Sequence, residues 1–246
     1  MIEVNDTLLA LGSLARFYLD KFNVDLIGVT GSVGKTSTRD IIYSVLNEKY
    51  KTLKNELNYN NDFEFLIAVV LSAQTTDIKV NKVTEELFKK YDITSLSNAN
   101  INEIKNILLP LGMANKKAVY IKNIASYIKN NNGVIPRDRN TLMSLDGVGR
   151  KTANLVLATL YNEPYLAVDT HVKRVSERLG ITSASDDVLK VEEKLCKIIP
   201  KEDILKRHHQ LVLFGRYYCK SKNPSCNTCK LKNICKNSHQ VWCEFF

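Results

Sequence analysis

No apolar run in this 246-residue chain is long enough to span a bilayer. The longest candidate, residues 65–71, falls far short of the roughly 20 residues a spanning helix needs. Residues 1–6 lack a basic n-region and no signal-peptide pattern follows them. There is no internal repeat, and no long linker rich in Gly, Ser or Pro. Nor do the six cysteines read as a disulfide framework, since four of them fall in one short stretch near the C-terminus. These absences leave a cytoplasmic protein as the expectation. An apolar content of 44% excludes a disordered chain, and the length suffices for one large or two modest domains with real cores.

What the chain has in excess is positive charge, unevenly placed. It carries 35 basic and 26 acidic residues, net +9. Residues 1–61 hold seven of each sign, so residues 62–246, with 28 basic and 19 acidic, carry the whole excess. A basic face recruits polyanions, of which nucleic acid is the usual one. A merely soluble basic surface would look the same on charge alone.

The pattern changes near residue 61. Residues 5–22 repeat apolar groups at helical spacing (Leu8, Leu11, Leu14, Ala15, Tyr18), and residues 25–30 read as a short buried strand. The loop Gly31-Ser-Val-Gly34-Lys35-Thr36 follows. A helix is predicted from about residue 35 to 48, and a second short strand over 50–53. Backbone amides in such a loop can cradle phosphate, and Lys35 can reach it. The surrounding DLIGVTGSVGKTSTRDIIYSVL, with the later NYNN, resembles an N-terminal fragment of the Mur ligases, most of all the D-alanyl-D-alanine-adding enzyme. Nothing matching the remainder of such a ligase follows. The segment therefore reads as a truncated P-loop remnant, with Gly34, Lys35 and Thr36 as its candidate phosphate loop.

From Asp62 onward only helices are predicted. Asp62 can cap a helix beginning at Phe63 that is apolar nearly all round, as a helix at the centre of a bundle should be. Further helices are expected over about 77–91, from Asn115, and over 139–145, 150–160, 170–179, 187–199 and 203–218.

LMSLDGVGRKTANLVLATL is the most informative stretch. Gly147-Val148-Gly149 makes a tight turn between two helices. Its glycines permit positive φ and let backbone N–H groups approach a DNA phosphate. Val148 can pack between the helices, and Arg150 adds a cation. Lys151 lies in the first turn of the second helix, where the macrodipole and Arg150 both disfavour its charge. A neutral amine is what Schiff-base chemistry requires, although an isolated lysine at such a place would read more simply as a phosphate ligand. Asp169, in AVDTHVKRV, is placed as an N-cap whose second oxygen can face a pocket.

LDGVGRKTAN and AVDTHVKRV stand in the order and spacing of the endonuclease III family. With LSAQTTD at residues 71–77 and LGMANKKA at 111–118, the resemblance runs over about residues 62–236. It implies a helix–hairpin–helix DNA glycosylase fold and base excision repair of duplex DNA. Lys151 matches the lysine that attacks the sugar C1′, and Asp169 the carboxylate that assists base departure. Gln74 matches a residue inserted into the base stack, and Met113 a second wedge position. Asp146 departs from the proline of many relatives. Members usually open with a helix that packs on the cluster region, and residues 5–22 are the segment available for that part.

Cys219-x6-Cys226-x2-Cys229-x5-Cys235 packs four thiolates into one loop. The spacing suits tetrahedral zinc or a [4Fe–4S] cluster. The resemblance implies the cluster. Cys196 reads as a core residue, and Cys243 lies in the tail.

The expectation is thus a mainly α protein. Residues 1–61 form a short α/β P-loop fragment, 62–165 a six-helix barrel with the hairpin, 166–236 a helical region with the cluster loop, and 237–246 a tail. It is expected to act as a monomeric, nucleoid-associated bifunctional glycosylase and lyase for oxidised pyrimidines. The alternatives are a non-catalytic DNA-binding module and an ATP-dependent ligase remnant.

Overall fold

The computed structural model describes residues 31–51 and 56–237, with backbone alone for residues 31–38. Every regular element among the described residues is helical, and no strand occurs there. The first described helix is α1 (Gly31–Lys49).

The first core is built around α2 (Asp62–Leu71). Eight of its ten residues are buried, so it can only sit at the centre of a bundle. Its cap is Asn61, whose side chain accepts the backbone N–H of Glu64 at 2.9 Å. Asp62, expected as the cap, is instead the first helical residue, where its charge complements the helix dipole. Around α2 pack α3 (Asp77–Lys90), α6 (Ala114–Asn130) and α8 (Arg150–Tyr161). Helix α6 turns Ala118, Ile121, Ile124, Ala125 and Ile128 inward, as their spacing predicts.

Two short helices escape the sequence reading: α4 (Ile93–Asn98) and α5 (Ile101–Leu108). With six and eight residues, both are too short for periodicity to register. Their caps, Asp92 and Asn100, are what define them. Helix α7 (Arg139–Met143) then leads through the glycine turn into α8.

A second core gathers α9 (Thr170–Arg178), α10 (Val188–Ile198) and α11 (Ile204–Tyr217) around Val172, Val175, Leu195, Leu211 and Phe214. Ile42 and Leu46 of α1 belong to this core. Leu57 belongs to the first.

This alters the boundary expected at residue 61. The chain divides into compact units between Ile41 and Ile42. Residues 42–61 open on the helix predicted to residue 48, with Ile42, Val45 and Leu46 on one face, and are fastened by specific bonds. Arg207 Nη1 and Gln210 Nε2 both donate to Asn47 Oδ1 at 3.0 Å. Lys230 pairs with Glu48 at 2.5 Å, and Arg216 pairs with Glu56. The helix that packs beside the cysteine loop is therefore the C-terminal half of α1. The helix over 5–22, the strand over 25–30 and residues 52–53 of the strand over 50–53 lie outside the described residues, and Tyr50 and Lys51 are not in a strand.

The glycine loop is also different from the expectation. Gly34, Lys35 and Thr36 lie inside α1, which starts at Gly31. A helix spends its amides on carbonyls four residues back, apart from those of its first turn. The free-standing P-loop fragment finds no support.

Candidate functional site

The turn from α7 to α8 has the geometry its glycines require. Gly147 holds φ +76°, and a Cβ there would stand 2.5 Å from Tyr120 Cδ2. Gly149 is extended and faces open space, with no atom within 4 Å of where a Cβ would be. Val148 is buried and its N–H donates to Leu145 O at 3.1 Å. The turn is thus anchored from below and bare above, which is the form needed for a backbone phosphate to approach. Asp146 is accommodated by Asn123, whose Nδ2 donates to its carboxylate at 2.7 Å.

Arg150, expected at the DNA, is also held from within the protein. Its guanidinium is gripped by buried Glu192 of α10, with Nε and Nη2 donating at 2.8 and 3.0 Å. Planar fork geometry suits this pairing, which ties the hairpin helix to the second core.

Lys151 is exposed in the first turn of α8. Asp169 is the N-cap of α9, and its Oδ1 accepts the Val172 N–H at 2.8 Å. Helix α11 packs against both α8 and α9. From it His208 reaches a site where the charges of both Lys151 and Asp169 act on its ring. The nucleophile candidate and the carboxylate candidate therefore lie on helices that both pack against the helix of one buried imidazole. Burial, and then neighbouring His209, push the His208 pKa down to about 4.

The extended segment that delivers Asp169 is held by side chains the sequence reading missed. Asn154, one turn along α8 from Lys151, donates to Leu166 O at 3.0 Å. His208 makes a hydrogen bond with the Ala167 backbone. On the other side Arg174 donates to Gly215 O at 2.7 Å and lies 3.1 Å from His171 Nδ1. Burial lowers the His171 pKa. The only sequence signal for these residues is a polar type on the apolar face of a helix.

Gln74 and Met113 are both exposed, and both hold left-handed backbone, at φ 57° and 52°. Such strain, about 1 kcal/mol or more per residue, persists only where the surroundings enforce it.

Cys219, Cys226, Cys229 and Cys235 all line a single cavity of about 30 Å³. Among the described residues no group of three or more His, Cys, Asp or Glu side chains converges tightly enough to hold one metal ion. The thiols are nonetheless near neighbours. Burial raises the pKa of Cys226 and Cys229, and the charges of the other cysteines raise it further. Arg178 supports the loop by donating to Cys219 Sγ at 3.4 Å and to Lys220 O at 2.7 Å.

A helix–hairpin–helix turn beside a lysine and a capping aspartate defines a base-excision class of protein, and the comparisons agree. The profile of the HhH-GPD superfamily base excision DNA repair proteins matches residues 67–201. Endonuclease III of Bacillus subtilis is 43% identical over 190 residues, covering 75% of this chain and 85% of that protein. Endonuclease III of Haemophilus influenzae is 41% identical over 211 residues, covering 85% of this chain and 99% of that protein. That match is longer than residues 62–236, in keeping with the place of α1 in the fold. A solved structure of a trapped endonuclease III–DNA covalent intermediate superposes with a TM-score of 0.79 at 42% identity, over 85% of this chain and 98% of that one. The chain belongs to the endonuclease III family: it is a base excision DNA repair glycosylase with abasic-site lyase activity.

Proposed function

We propose that Lys151 is the amine nucleophile and Asp169 its carboxylate partner, acting on duplex DNA that carries an oxidised pyrimidine or an abasic site. The observation that carries this reading is the packing of α11 against both α8, which holds Lys151 in its first turn, and α9, which Asp169 caps. Lys151 Nζ attacks C1′ as the bond from C1′ to the base breaks. A Schiff base joins Nζ to C1′, a C2′ proton is removed, and the 3′ phosphate departs by β-elimination. Asp169, fixed by the Val172 amide, receives the proton that Lys151 must lose. The damaged nucleotide has to leave the stack to reach this pair. Gln74 and Met113, standing out on their left-handed turns, are suited to fill the gap. The bare face of Gly147-Val148-Gly149 supplies phosphate contacts without reading sequence.

The four cysteines suit a [4Fe–4S] cluster. They share one cavity, and their thiolates repel one another unless a cation balances them. The cluster, when bound, would cross-link the loop to the end of α11. Lys220, Lys222, Lys230 and Lys232 give that loop a basic surface beside the DNA. The protein on this reading acts as a monomer at the cytoplasmic nucleoid.

The test is borohydride trapping on a duplex with one abasic site, alongside iron and zinc analysis. A covalent adduct and iron-containing protein are expected. Strand cleavage without any trappable adduct would remove the lysine mechanism, and zinc without iron would remove the cluster.

A further inference from the structure

The left-handed turns at Gln74 and Met113 belong to different parts of the chain, and something must hold each in that conformation. Adjoining both turns is a small, partly buried knot of hydrogen bonds. Thr75 Oγ1 donates to Leu111 O at 2.7 Å. Lys117, only 1% exposed, reaches from α6 so that its Nζ donates to Thr75 Oγ1 at 3.2 Å and to Leu111 O at 3.3 Å. The residue after Gln74 and the residue two before Met113 are thus bonded to each other and to one ammonium group.

None of the ion pairs among the described residues gives Lys117 a carboxylate partner. Burial lowers its pKa accordingly. An unpaired buried ammonium is costly, and an apolar side chain of the same length would fill the space without that cost. Packing alone therefore does not account for a lysine here. Its two acceptors account for it, because each belongs to one of the two loops.

We propose that Lys117 and Thr75 are positioning residues that lock the Gln74 and Met113 loops to each other, so that both side chains enter the base stack as one preformed unit. The inference rests on the wedge reading of those two residues. A loop pair ordered before binding avoids the entropy loss of ordering it on the DNA. Independent loops would let one side chain enter while the other stayed out, and the displaced nucleotide would fall back. The knot touches no reacting atom, so its effect should be confined to steps that need the stack opened.

The experiment compares single-turnover abasic-site cleavage on duplex and on single-stranded DNA, for the full chain with its cofactor. The variants are Lys117→Met, Thr75→Val and Thr75→Ser. A 2-aminopurine base beside the lesion reports unstacking. We expect Thr75→Val and Lys117→Met to lower the ratio of duplex to single-strand rate about tenfold. The unstacking signal should fall in step, and Thr75→Ser, which keeps the hydroxyl, should restore both. Equal losses on the two substrates, or an unchanged ratio, would overturn the proposal. Gln74→Ala and Met113→Ala keep the underlying reading separately testable. If they slow duplex cleavage while Thr75→Val does not, the knot is refuted and the wedges stand. If neither slows it, the wedge reading itself fails and the knot with it.

Discussion

Arg150 and Glu192 meet through two parallel hydrogen bonds of 2.8 and 3.0 Å, joining the first turn of the hairpin helix to α10. Glu192 is buried and also lies 3.5 Å from Arg139. Two cations thus converge on one carboxylate across the junction of the two cores. Replacing that carboxylate by an amide leaves both guanidinium groups without their counter-charge and turns one acceptor oxygen into a donor. We expect Glu192→Gln to cost about 2 kcal/mol of stability. It should also loosen the start of α8, raising KM for DNA more than it lowers kcat. Thermal unfolding and steady-state kinetics check this, and a variant as stable as the parent would show the pair to be dispensable.

Lys151 carries the proposed chemistry from an exposed position, so its replacement should spare the fold. Lys151→Gln is expected to abolish borohydride trapping and strand cleavage while DNA binding persists through the turn amides. Asp169→Asn should also lose activity with little change in melting temperature, because asparagine caps a helix as well as aspartate does. Wild-type cleavage by either variant would take that residue out of the mechanism.

Gly147 is needed for its conformation and for its closeness to Tyr120. An alanine there meets both a φ of +76° and the Tyr120 ring at 2.5 Å. Gly147→Ala should therefore destabilise the turn by more than about 1 kcal/mol. Binding to undamaged duplex should weaken uniformly across sequences, with a shallower dependence on salt. Unaltered binding in a salt titration would mean that the turn does not contact phosphate.

His208 gives the protein a defined acid sensitivity. Burial depresses its pKa to about 4; His209 and Lys151 act in the same direction, while Asp169 and the Ala167 hydrogen bond oppose it. The unfolded chain binds a proton near the ordinary histidine value of about 6.5, whereas the folded protein does not. Between those two values the unfolded state holds more protons, so stability falls as pH drops through this window and is complete above it. His208→Gln should flatten the fall seen between pH 6.5 and 4. The same pH profile in parent and variant would refute this.

Leu46, 1% exposed in the second core, tests the revised boundary. Leu46→Ala should cost about 3 kcal/mol. Deletion of residues 1–61 should be more damaging still, since it also removes Asn47 from Arg207 and Glu56 from Arg216. By contrast Lys35→Ala should leave glycosylase and lyase rates unchanged, with or without ATP, because Lys35 lies within helical backbone. ATP-stimulated repair lost in Lys35→Ala would restore a phosphate-binding role.

The sequence alone carried the helical class, the hairpin turn, the Asp169 cap and the four-cysteine loop. Each of these is local. Glycines force a turn, an aspartate before an amphipathic run makes a cap, and cysteine spacing survives in one dimension. Most helix ends were legible for the same reason, since caps and apolar periodicity act within a few residues. Tertiary structure decided what depends on distant partners. Ile42 and Leu46 read as one face of a helix, but what that face covers, like the bond between Asn47 and Arg207, depends on partners more than a hundred residues later. That Arg150 pairs with Glu192, 42 residues away, is likewise invisible in the local pattern. His208, Asn154 and Lys117 look like ordinary polar residues on helices. Only packing buries them, and burial is what turns a polar side chain into one that must hold something in place.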